Sequence, residues 1–124
     1  MSMIAAVAAL TLAASATLGP MHTIARASAR GPHAQATAHG YQARPAALSM
    51  RVGARPAQRF RGWWVVICTR RGVWSERRAT VAGATPFARR LPIAERRPDG
   101  CVVTAEARLA RSGIVTVTLS GRER

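Results

Sequence analysis

Polar and apolar residues alternate over the last quarter of the chain. Cys101, Val103, Ala105, Ala107 and Leu109 share one parity, and Val102, Thr104, Glu106 and Arg108 share the other. Further on, Val115, Val117 and Leu119 alternate with Thr116 and Thr118. A period of two is what a half-buried strand requires, because successive side chains point to opposite faces. Arg111-Ser112-Gly113 reads as a turn, so the two stretches are expected to pair as an antiparallel hairpin. Upstream, Trp63-Trp64-Val65-Val66-Ile67-Cys68-Thr69 is continuously β-branched and aromatic, which suits a strand covered on both faces. Arg70-Arg71-Gly72 offers a tight turn into Val73-Trp74-Ser75, with a continuation through Ala79-Thr80-Val81. Residues 83–100 contain Pro86, Pro92 and Pro98 and read as a connection. It ends in Arg97-Pro98-Asp99-Gly100, which suits a type I turn.

The pattern changes before Gly62. Residues 1–16 carry no charge, hold an apolar run from Met3 to Ala14, and close on Ala14-Ser15-Ala16. That is the outline of a secretory signal peptide, with a second small-x-small site at Ala27-Ser28-Ala29 that allows cleavage as late as residue 29. Residues 17–61 are rich in Ala, Arg, Gly and Pro, and Pro20, Pro32, Pro45 and Pro56 are spaced so that no long helix can form. Apolar bulk is thin there, so the segment is expected to be a disordered linker, with a short helix around Ala46–Val52 as the alternative. The expected fold is therefore mostly β, a small antiparallel sheet or sandwich over about 62–120 behind a leader and a linker.

Composition narrows the partners more than the chemistry. The chain has 26 Ala, 19 Arg, no Lys and no Asn, the bias of a very GC-rich gene, so its Arg content is partly a codon effect. The formal charge of +14 begins at Arg26 and would draw the chain to polyanions such as nucleic acid or an anionic cell-wall polymer. No block of five like charges occurs; Arg70-Arg71, Arg77-Arg78, Arg89-Arg90 and Arg96-Arg97 are scattered pairs. The plain reading of such pairs is a solvated cationic surface.

A domain of about sixty residues buries only about 60% of its unfolded surface and needs a staple. Cys68 and Cys101 allow a single intramolecular pairing, and export would place them where thiols oxidise. The alternative is two inert buried thiols.

Catalytic constellations find little material. His22, His33 and His39 all fall in the leader region or the linker, where nothing would hold them in geometry, and the expected β domain has no His to act as a base. Asp99 is accounted for by its turn, and Glu76 and Glu106 sit among Arg residues as expected surface pairs. A paired-carboxylate hydrolase is disfavoured, because no acid is flanked by the apolar residues that would raise its pKa. The cysteine and histidine spacings make no zinc motif, and without Lys there is no phosphate-binding P-loop. Neither a cofactor nor a small-molecule substrate is implied. Phe60, Trp63, Trp64 and Trp74 lie near Arg59, Arg61, Arg70 and Arg71, a combination that could stack on a nucleic-acid base or a sugar ring. The competing reading makes Trp64 and Trp74 the core of a domain otherwise built of Ala and Val. The candidate ligand or polyanion contacts are Trp63, Arg70, Arg71, Arg77 and Arg78.

Trp64-Val65-Val66-Ile67-Cys68, Gly100-Cys101-Val102-Val103-Thr104-Ala105 and Gly113-Ile114-Val115-Thr116-Val117-Thr118-Leu119 resemble the small, functionally uncharacterised secreted proteins of high-GC actinobacteria. The resemblance covers the leader and the last sixty residues and implies a location and an architecture, with no activity to carry over. Three functions follow as expectations. The first is an exported, non-enzymatic β domain acting in the envelope or medium by surface interaction. The second is an Arg-rich binder of an anionic polymer. The third is an open frame of GC-rich DNA that makes no stable protein.

Overall fold

The computed structural model describes residues 20–124. The apolar run Met3–Ala14 and the first cleavage site lie outside the described residues. Eight strands follow in order: β1 (His22–Gly31), β2 (Gln35–Ala43), β3 (Pro45–Arg55), β4 (Arg59–Arg70), β5 (Val73–Ala84), β6 (Phe87–Leu91), β7 (Gly100–Leu109) and β8 (Gly113–Glu123). They form two four-stranded sheets, ordered β1-β8-β3-β6 and β2-β7-β4-β5. All neighbours are antiparallel. Only β4 and β5 are joined in sequence within one sheet; every other connection crosses between sheets. This is the strand order of a jelly roll.

The expected sandwich is therefore present, but it begins at His22 and not near residue 62. The segment read as a linker holds three strands. Pro32 and Pro56 sit in connections and Pro45 opens β3, so these prolines punctuate strands. The inward positions of β1 and β2 are Ala25, Ala27, Ala29, Ala36 and Ala38. Alanine buries little area by itself, and here the bulk comes from other strands: Leu48, Met50 and Val52 of β3, and Val117 and Leu119 of β8. The later small-x-small site, Ala27-Ser28-Ala29, is paired to β8 along its length.

Two further expectations are overturned. β7 and β8 alternate as read, with Cys101 to Leu109 and Val115 to Leu119 buried on the predicted parities. They do not pair with each other, however: β7 lies between β2 and β4, and β8 lies between β1 and β3. Arg111-Ser112-Gly113 is an arch from one sheet to the other. The connection over residues 83–100 contains the short edge strand β6, which pairs only with β3. Its Phe87 meets Phe60 of the other sheet edge-on, with ring centroids 5.0 Å apart, and helps close that side of the sandwich.

Within the second sheet, Ala38, Ala105, Trp64 and Ala79 occupy one row across β2, β7, β4 and β5. One buried indole is thus set among three alanines. Cys68 and Cys101 are directly opposite in β4 and β7, with Cα atoms 4.1 Å apart, and form a disulfide. Closing a loop of this length is worth about 3–4 kcal/mol in the chain-entropy model. The β4–β5 turn is the expected tight one. Arg71 and Gly72 have φ of 50° and 78°, a type I′ pair, and the Arg71 N–H donates to Asp99 Oδ2 at 2.9 Å. Asp99 does more than serve its own turn: its N–H donates to Thr69 O, and its carbonyl accepts from Arg44 N. At the other end, buried Gln58 accepts from Arg111 N at 2.7 Å and donates to Ser112 O at 3.2 Å, tying the β3–β4 loop to the arch.

Candidate functional site

The outward parity of the second sheet brings together residues far apart in sequence. Thr37, Glu106, Trp63 and Thr80 form one row across β2, β7, β4 and β5. The next row is His39, Thr104, Val65 and Arg78, and after it Tyr41, Val102, Ile67 and Glu76. The last is Ala43, Gly100, Thr69 and Trp74.

Glu106 organises one end of this face. Its Oε2 accepts from Trp63 Nε1–H at 2.9 Å, and its Oε1 accepts from Gln35 Nε2–H at 2.5 Å and from the Thr37 hydroxyl at 3.0 Å. A charged acceptor with three neutral donors holds its rotamer and theirs. Beside it, His39 Nδ1 lies 2.6 Å from Thr104 Oγ1. Arg61 and Arg108 face each other on the row beyond Glu106, a like-charge cross-strand pair.

The other end is aromatic and apolar. Tyr41 is 61% exposed and Trp74 is 69% exposed, on the two edge strands β2 and β5. Between them lie Val102 and Ile67. Gly100 leaves room for the Tyr41 ring: a Cβ there would collide with the Tyr41 hydroxyl oxygen. Two exposed rings flanking an apolar floor, with fixed polar groups one or two rows away, can stack on a flat ligand and hydrogen-bond its rim.

The predicted contacts are only partly united here. Trp63 and Arg78 share the face, and Arg78 is paired to Glu76 at 2.7 Å. Arg77, one residue away, has the opposite parity on the edge strand. Arg71 is in the β4–β5 turn, and Arg70 Nη1 donates to Arg96 O at 3.1 Å. The Trp63–Val65–Ile67 side of β4 is half-exposed, so the strand is covered on one face only. Trp64 is in the core as expected, but Trp74 is not, because β5 is an edge strand whose outward side no described residue covers. Glu106 is held by neutral donors and not by Arg. His39 is fixed in β2, against the expectation for a linker residue. Tyr41, Gln35, Thr37, His39 and Glu106 come together only through the pairing of β2 with β7, which the Ala- and Gly-rich sequence of β2 does not announce. Their one local signal is the period-2 alternation of Gln35, Thr37, His39 and Tyr41 with small residues.

These features define a disulfide-bonded jelly-roll sandwich with an aromatic and polar sheet face. It is similar to the crystal structure of the Yersinia pseudotuberculosis-derived mitogen, at 9% identity and a TM-score of 0.48, over 86% of this chain and 87% of that one. It is also similar to a structure described as the basis for the promiscuous specificity of carbohydrate-binding modules from the β-sandwich superfamily. There the identity is 7% and the TM-score 0.37, over 86% of this chain and 54% of that one. The sequence matches no protein-family model and no curated protein.

Proposed function

We propose that this protein is an exported, non-catalytic recognition module that works in the cell envelope or the medium and binds its ligand on the outer face of the second sheet. The observation that carries the reading is the joint exposure of Tyr41 and Trp74 around the Val102–Ile67 floor, on the face that Glu106 organises. Large exposed rings at fixed spacing are costly to leave in water unless a partner covers them. A ligand with a flat apolar side and hydroxyl groups at its rim, such as a sugar ring, fits that arrangement.

Export is supported by the disulfide, which persists in oxidising compartments. The non-catalytic reading is supported by Glu106, whose two oxygens are taken by neutral donors. A folded protein, as opposed to a chance reading frame, is supported by the two cysteines standing directly opposite in register.

Titration of the full chain with an oligosaccharide panel, followed by amide chemical shifts, tests the binding face. Shifts are expected at Tyr41, Ile67, Trp74 and Val102. Tyr41→Ala and Trp74→Ala are each expected to weaken binding about 2- to 12-fold, the range of one aromatic contact. Binding that neither substitution affects would remove the assignment. An intact Met1 in cytosolic product would remove export, and free thiols in secreted product would remove the disulfide as its support.

A further inference from the structure

The outer face of the first sheet has a different composition. Arg26 of β1 and Arg51 of β3 both stand opposite Thr118 of β8. Arg30 and Arg55 both stand opposite Ile114. Between these rows lies a third, made of Ser28, Thr116 and Gly53. All four arginines are exposed, and no Asp or Glu occupies these rows. The row of small residues forms a trough between two rows of guanidinium groups. A Cβ on Gly53 would meet nothing within 4 Å. The trough is bounded by Pro86 beyond β3. Ser28 Oγ and Thr116 Oγ1 share a hydrogen bond of 3.0 Å on its floor, which leaves one of the two hydroxyl protons to turn toward a bound anion.

We infer that this trough is a second binding site, for a linear anionic polysaccharide carrying sulfate, phosphate or uronate groups. Along the strands the arginines are separated by four residues, or about 13 Å at the rise of an antiparallel strand. Across two strand spacings they are about 9.5 Å apart. Four cations at those separations repel one another unless a polyanion or its counterions lie among them. Each guanidinium presents a planar fork that matches a sulfate, phosphate or carboxylate. The trough favours a polysaccharide over a single-stranded nucleic acid, because bases need rings to stack on, no aromatic residue stands in these rows, and Phe87 beside Pro86 is packed edge-on against Phe60. The site is independent of the aromatic face, which lies on the other sheet.

Heparin is the probe, and its affinity for the full chain is measured as a function of salt. The quadruple variant Arg26→Gln, Arg30→Gln, Arg51→Gln, Arg55→Gln is compared with Arg70→Gln, Arg71→Gln, Arg77→Gln, Arg78→Gln, which removes the same formal charge elsewhere. The trough variant is expected to lose at least about 100-fold in affinity and about 3 units of slope in log K against log salt, as four lost contacts imply. The control is expected to lose less than about tenfold, with its slope nearly unchanged. The double variant Arg51→Gln, Arg55→Gln, expected to lose about half as much slope, keeps the test available if the quadruple variant folds poorly. No heparin binding by the native chain, or equal losses in the two quadruple variants, would overturn the site. Tighter binding of charge-matched single-stranded DNA than of heparin through the same arginines would overturn the polysaccharide assignment.

Discussion

Across the first sheet, Arg26, Thr118 and Arg51 lie in one row; across the second, Thr37, Glu106, Trp63 and Thr80 do. Both rows are built by the same rule. Every second residue of a strand faces the core, and those inward positions are apolar in both sheets: Val, Ala and Leu throughout, with Met50 in the first and Phe60, Trp64 and the cysteine pair in the second. The outward positions are released from that constraint, and the two faces have diverged in charge and in hydrogen bonding. One carries guanidinium groups over hydroxyls and glycine, without an acid in its rows. The other ties the Glu106 carboxylate to an indole, an amide and a hydroxyl and pairs Glu76 with Arg78. In a sandwich of this kind the inward parity accounts for the fold, and the two outward parities are separate surfaces that can serve separate ligands.

The largest change should affect both faces together. Replacing Cys68 and Cys101 by Ala removes the link between β4 and β7 and is expected to cost about 3–4 kcal/mol, read as a lower denaturant midpoint. If the two faces share one cooperative core, tryptophan fluorescence from the second sheet and heparin binding by the first should be lost at the same denaturant concentration. A smaller change should separate them. Glu106→Ala frees three donors on the second sheet and is expected to cost roughly 1–2 kcal/mol, lowering the melting midpoint by several degrees. Heparin affinity should be unaffected, and a matching loss would mean that the faces are coupled. The smallest effect is expected from Arg71→Gly. It relieves a positive φ in the β4–β5 turn, keeps the N–H that Asp99 accepts, and should leave stability within about 1 kcal/mol of the native chain. A larger loss would show that the Arg71 side chain itself supports the turn.

Much of the inward pattern could be read directly. The parities of β7 and β8, the Arg71-Gly72 turn, the core position of Trp64 and the pairing of the two cysteines all follow from residues within a few positions of each other, or from there being only two cysteines. β1 and β2 were not legible, because Ala27, Ala36 and Ala38 bury too little to announce a strand. Their order depends on β7 and β8, 57 to 99 residues away. The aromatic and polar face was out of reach for the same reason, since Thr37 meets Glu106 only once β2 has joined β7. Arg77 and Arg78 are a doublet in the sequence, yet neighbours on a strand point to opposite sides. Arginines four apart on β1 and β3, unremarkable in the sequence, share a face without an acid in their rows.

By itself, then, the sequence determined a β protein with one cysteine pair and a strongly cationic chain, because period-2 alternation, cysteine number and net charge are local or additive properties. Tertiary structure alone decided that β7 and β8 lie in different sheets, that residues 22–55 form three strands of the sandwich, and that four distant arginines line one trough. Strand register and the assignment of strands to sheets are set by which surfaces bury one another across the whole chain.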